Sequence, residues 1–155
     1  SKASMGRGDL KIVGNDAVNI KNYSTLMKDF LSKNELIPSR LPDLMQAIRF
    51  GTVPEELYQS ITVPYGRMIV ALKNIPVPES FVDNHLALLN SVLIFKVGVL
   101  DGLGHIADEP LYTLRAVAQF KSAGQAIINA MNNENSALSL IGDFNSVPIL
   151  PLYFL

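Results

Sequence analysis

Residues Phe81–Leu103 read FVDNHLALLNSVLIFKVGVLDGL, and the interpretation of this run decides the fold. Apolar side chains fall on nearly every side of a helix drawn through it, so the run is expected to be a central rod with the other helices packed around it. Its most apolar part, Leu86–Leu100, is broken by Asn90, Ser91 and Lys96. It is also shorter than the roughly 20 residues that cross a bilayer. A core helix is therefore expected, not a membrane span.

Immediately upstream, Ile75-Pro76-Val77-Pro78 forms a stiff extended connector, because each proline lacks an amide donor and pushes the residue before it out of helical angles. Ser80, with Asp83 shortly after it, is placed to start the central helix. Before the connector, Leu57, Ile61, Tyr65, Met68, Ile69 and Leu72 hold one apolar stripe across Pro64. That stripe predicts a kinked helix over 53–74, with two separate helices as the alternative. Thr52 and Glu55 have the spacing of a capping box at its start. Pro42 opens a shorter helix with Leu41, Leu44, Met45 and Ile48 on one face and Gly51 just past its end. A first helix is expected from Asn15 onward. Asn15 or Asp16 can cap it, Ile20, Tyr23, Met27, Phe30 and Leu31 recur at helical spacing, and Pro38 closes the element.

Downstream, Gly102 and Gly104 end the central helix and Asp108 caps the next one just before Pro110. Leu111, Leu114, Val117, Phe120, Gly124, Ile127, Ile128 and Met131 form the stripe of that helix. The polar cluster Asn132-Asn133-Glu134-Asn135 is expected to stop it, with a short helix over 136–141 beyond. The pattern describes an all-α fold: a single-domain helical bundle of about five or six helices around a central apolar helix at 80–103. Residues 1–14, with Gly6, Gly8 and Gly14, read as a flexible lead-in, 15–147 as the bundle domain, and 148–155 (PILPLYFL) as an apolar C-terminal tail. Ser1 in place of an initiator Met reads as a cut or processed end.

Composition agrees with one folded domain. The chain has 155 residues, 48% of them hydrophobic and only 17% charged, which argues against disorder. Thirteen Lys and Arg against fourteen Asp and Glu leave a charge of -1, so no positive field draws the chain to nucleic acid. With no cysteine, disulfides, thiolate metal sites and a Cys nucleophile are excluded.

Candidate chemistry is sparse. No G-x-S-x-G nucleophile turn occurs. His85, early in the central helix among leucines, reads as a hydrogen-bonded core or boundary histidine rather than a base. Asp101, His105 and Asp108 would approach one another as a metal or proton-transfer site if the turn stayed helical. Gly102 and Gly104 work against that, and roles at helix ends are the simpler assignment. Gly102-Leu103-Gly104 lacks the strand that a phosphate cradle requires. Gly98 and Gly102, facing a row of Ala116, Ala123 and Ala130, predict close helix packing. Lys96 invites comparison with Schiff-base lysines, but a stem crossing apolar surface to reach water or a carboxylate is the expected state. Arg7-Gly8-Asp9 matches an adhesion tripeptide, and Asn22-Tyr23-Ser24 matches a glycosylation acceptor placed inside a helix. No catalytic, cofactor-binding or metal-ligating residue is assigned, and no cofactor is expected.

Ile75-Pro76-Val77-Pro78, His85-Leu86 with Asn90, and Asp108 with Pro110-Leu111 together resemble uncharacterised helical, extracytoplasmic domains of environmental bacteria. The resemblance spans about residues 65–131 and implies a secreted or membrane-anchored setting. It brings no activity with it. The expected function is a non-catalytic helical interaction or structural module, self-associating or meeting a protein partner through the apolar tail. The alternative is a carrier of an apolar small molecule or lipid, in a cavity lined by Met68, Leu72, Phe95 and Phe120.

Overall fold

The structure, a computed structural model, describes residues 4–101 and 110–141. They form five α-helices: α1 (Ala17–Lys33), α2 (Leu41–Arg49), α3 (Glu55–Asn74), α4 (Val82–Leu93) and α5 (Pro110–Ser139). Two short strands, β1 (Lys11–Val13) and β2 (Pro76–Pro78), pair in parallel with Ile12 opposite Val77. The all-α bundle expected from the patterning is the fold that forms. α4 passes directly into a π-helical segment, Ile94–Leu100, and both pieces pack between α3 and α5.

The described part of the rod, 80–101, is central, yet it is not jacketed all round. Val82, His85, Leu88, Leu89, Val92, Phe95, Val99 and Leu100 are buried, while Asp83, Ala87, Ile94 and Gly98 lie along an exposed stripe. By length and composition alone, Glu79–Leu100 is sufficient to cross a membrane, with 22 residues at a mean hydropathy of 1.2 and half of the window buried in the fold. Aromatic rings bind the rod to its neighbours. Tyr65 of α3 stacks on Phe95 at 5.1 Å, and Phe95 meets Phe120 of α5 edge-on at 5.4 Å. Pairs of this kind add about 0.5–1.5 kcal/mol beyond the area they bury. Of the four residues expected to line a carrier cavity, Phe95, Phe120 and Leu72 are fully buried in this packing, and Met68 is nearly so while also lining an open cleft beside α3.

The lead-in departs most from expectation, because it is stitched to the fold. Asn90 of α4 accepts from the Met5 amide at 2.7 Å and donates to the Met5 carbonyl at 3.0 Å. Arg7 pairs with Glu79, and Asn15 accepts from the Ser80 amide at 2.9 Å. The connector predicted as merely extended is the partner strand that β1 needs. Pro76 and Pro78 have no amide hydrogen, so Val77 is its only backbone donor.

Several helix boundaries move for local reasons. Asp16, not Asn15, caps α1 by accepting from the Asn19 amide at 2.9 Å, and α1 ends at Lys33, well before Pro38. Gly51 sits past α2 in the left-handed conformation, φ 77°, that glycine adopts at little steric cost. The capping box of Thr52 and Glu55 does not form, because Pro54 takes the cap position of α3. α3 is one continuous helix through Pro64. Ser80 does not cap α4; it lies in a 3₁₀ turn, Glu79–Phe81, that leads into the helix. α5 does not stop at Asn132–Asn135 and runs on to Ser139, absorbing the separate short helix. There, burial of Glu134, Asn135 and Leu138 outweighs the weak helix propensity of asparagine.

Gly98 is exposed, and among the described residues a Cβ added there would meet only the Ile94 side chain, at 3.8 Å. The Gly102 and Gly104 stop, His105, the Asp108 cap and the tail 148–155 lie outside the described residues. Replacing Asn90 by Ala is expected to cost about 1–3 kcal/mol in urea unfolding, because its two partners at Met5 lose their bonds. Amide exchange should accelerate over residues 5–13, and unchanged exchange there would contradict the clasp.

Candidate functional site

One polar cluster lies inside the bundle, and four helices build it. Tyr23 of α1, His85 of α4 and Glu134 of α5 are each fully buried. The Tyr23 hydroxyl stands 2.9 Å from His85 Nδ1 and 2.7 Å from Glu134 Oε1. On its other side the imidazole Nε2 is 2.8 Å from the Leu72 carbonyl in the last turn of α3. That carbonyl is available for a simple reason: the residue four positions on is Pro76, which has no amide hydrogen to return to it. Phe81 closes the cluster, its ring 5.1 Å from that of Tyr23.

The electrostatics follow from burial. Desolvation raises the Glu134 carboxyl to about 7, against the pull of its hydrogen bond from Tyr23. Desolvation also lowers His85, opposed by its bond to the Leu72 carbonyl, and raises Tyr23 well above the ordinary phenol range, with the Glu134 charge adding to the effect. The Leu72 carbonyl can only accept, so Nε2 carries a hydrogen and Nδ1 of the neutral ring faces the Tyr23 hydroxyl with a lone pair. Glu134 Oε2 is buried with no hydrogen-bond partner among the described residues. Chemically, the arrangement can pass a proton between Glu134 and His85 through the phenol.

The residues singled out from the sequence distribute as follows. His85 is the hydrogen-bonded core histidine expected of it. Lys96 sends its ammonium to Asp101, at 3.0 and 3.1 Å from the two carboxylate oxygens. Its stem passes over Gly66 of α3, where an added Cβ would lie 3.9 Å from Lys96 Cε. Arg7-Gly8-Asp9 is a 3₁₀ turn whose arginine is engaged by Glu79 and whose aspartate accepts from the Gly6 amide at 2.9 Å. Asn22 is exposed on α1 and Tyr23 beside it is buried, so the acceptor tripeptide lies on a packed helix. Tyr23 as a hydrogen-bonding group and Glu134 were not anticipated. Glu134 continues the apolar row Phe120, Ile127 and Met131 toward Leu138, and that position on the stripe was the available signal.

A second feature is an open cleft of about 340 Å³ between the end of α1, the loop after it and α3. Ile61, Pro64, Tyr65 and Met68 give it an apolar floor, and Lys33, Glu35 and Ser60 a polar rim. Pro64 cannot donate to the Ser60 carbonyl, which leaves that group without its usual helical donor. Among the described residues no group of three or more His, Cys, Asp or Glu side chains is arranged to hold a metal ion. Comparison with protein-family models, with curated proteins and with solved structures finds no match to this chain.

Tyr23→Phe is expected to destabilise the protein by about 2–4 kcal/mol, since it leaves both His85 and Glu134 buried without their shared partner. Tyr65→Phe, which strands only the Leu36 carbonyl that its hydroxyl serves, should cost about 1–2 kcal/mol. Equal losses in chemical denaturation would show that the cluster is not coupled.

Proposed function

We propose that this chain is a non-catalytic helical interaction or structural module, the globular part of a secreted or membrane-anchored protein, with Glu79–Leu100 serving as its core helix. The observation that carries this reading is the inward use of its chemistry. The tyrosine, histidine and carboxylate that converge are fully buried and, apart from Glu134 Oε2, are partnered by one another and by a backbone carbonyl. Such a cluster organises a fold, whereas contact with other molecules falls to the surface. There, large apolar side chains stand out: Phe50 and Val18 are each 77% exposed and Val70 is 60% exposed. The extracytoplasmic setting rests on the resemblance carried by residues 65–131, and self-association rests on the apolar composition of the tail.

Static light scattering over a wide concentration range tests the proposal. The mass per particle is expected to rise above that of one chain, and a truncation ending at Val147 should abolish the rise while remaining helical by circular dichroism. A full-length chain that stays monomeric throughout would remove self-association.

The cleft at Pro64 favours one second reading, a binding protein for a small molecule with an apolar body and a hydrogen-bond donor. Met68 and Tyr65 would contact the apolar body, and the Ser60 carbonyl would accept from the donor. Native mass spectrometry of the protein purified from its own source should then show a bound mass that Met68→Lys eliminates.

A further inference from the structure

The buried cluster can be counted proton by proton. Its fixed members are the Leu72 carbonyl, which only accepts, and the hydrogen on His85 Nε2 that serves it. What remains is the Tyr23 hydroxyl between two sites, Glu134 Oε1 and His85 Nδ1, each of which either carries a proton or does not. If neither does, the single phenolic hydrogen faces two acceptors and one of them is left buried and unpaired. If both do, either the carboxyl proton is on Oε1 and two donors converge on the phenolic oxygen, or it is on Oε2, which has no partner among the described residues; in both cases a donor is left buried and unpaired and a positive charge sits in the core.

With one proton, every bond along the chain from Glu134 Oε1 through Tyr23 to His85 closes, and only Glu134 Oε2 stays without a partner among the described residues. Either Glu134 donates to Tyr23 and Tyr23 to His85, or the imidazolium donates to Tyr23 and Tyr23 to Glu134. Both forms are neutral overall, and they interconvert by moving two hydrogens along the chain. The groups facing His85 are Tyr23 from α1 and the Leu72 carbonyl from α3, and Glu134 from α5 reaches it only through Tyr23. No lysine, arginine or aspartate is buried among the described residues to alter the count. The other phenol buried among the described residues, Tyr65, is occupied with the Leu36 carbonyl.

We propose that Tyr23, His85 and Glu134 form a one-proton latch: the folded core binds a single proton between Glu134 and His85, and the seating of α1 and α5 against α4 is complete only in that state. The latch has a characteristic pH signature. Burial raises Glu134, so its contribution to stability is present below the unfolded carboxyl value of about 4.3 and is lost as pH rises through its folded value of about 7. Burial lowers His85, so its contribution is present above the unfolded imidazole value of about 6.5 and is lost as pH falls through its folded value. Between about pH 4.3 and 6.5 the unfolded chain also holds one proton on this pair, on the histidine, and the two slopes cancel. Outside that window the latch loses stability on both sides.

Urea unfolding of the full chain at a series of pH values tests this, with Glu134→Gln and His85→Gln beside the wild type. The glutamine at 134 donates to Tyr23 as the protonated carboxyl does, but cannot titrate. Relative to wild type, the unfolding constant of E134Q should fall about tenfold per pH unit as pH rises through the window. That of H85Q should rise about tenfold per unit. Variants that both track the wild type overturn the latch. Wild-type protein labelled for NMR decides the matter even where the variants do not fold. Near pH 6 the Glu134 carboxyl carbon and the His85 ring nitrogens should together report one proton, and two ionisable sites both empty or both filled there would refute the proposal.

Discussion

A buried imidazole has two nitrogens to satisfy, and at His85 satisfying them determines where four helices sit. Nε2 reaches the carbonyl that Pro76 leaves free at the end of α3, and Nδ1 reaches the phenol of α1, which in turn reaches the carboxyl of α5. Hydrophobic burial drives these helices together but has no direction, and many rotations of α1 or α5 would bury similar area. Leaving a buried polar group unpaired costs about 1–3 kcal/mol, so wrong rotations are penalised one bond at a time. The cluster therefore selects one packing from many that apolar contact alone would permit.

The same constraint explains the path of α5. Read locally, three asparagines and a glutamate favour a helix end, since asparagine ranks below alanine by well under 1 kcal/mol per residue as a helix former. Read in the fold, Glu134 is buried and bonded to Tyr23, and Leu138 beyond it is fully buried. Those contacts exist only while the backbone stays helical, and together they exceed the summed propensity deficit. A parallel case is the N-terminal segment. Its glycines suggest freedom, yet Asn90, Glu79 and the Val77 strand each fasten one part of it.

The fold class and most of the apolar assignments were legible because the 3.6-residue period is a local property. Tyr23, Met27, Phe30 and Leu31 on α1, the face of α2, and the row from Leu57 to Leu72 all point inward as their spacing requires. The destination of polar groups was less legible. Lys96 finds Asp101 within its own segment, which sequence proximity suggests, but Tyr23 and Glu134 lie 111 positions apart. No periodicity connects such a pair, and only the tertiary fold brings them within hydrogen-bond reach.

Sequence alone settled the kind of elements and their inward faces, since steric preference and hydrophobic period act over a few residues. It also settled where breaks are forced, as at Gly51 beyond α2 and at the prolines of 76 and 78. The tertiary structure decided the rest: that a proline-rich connector would become a strand, that a polar cluster would stay helical, and that a tyrosine, a histidine and a glutamate would share one buried chain. Each of these depends on a partner distant along the chain, and the free energy that selects it exists only once the helices have met.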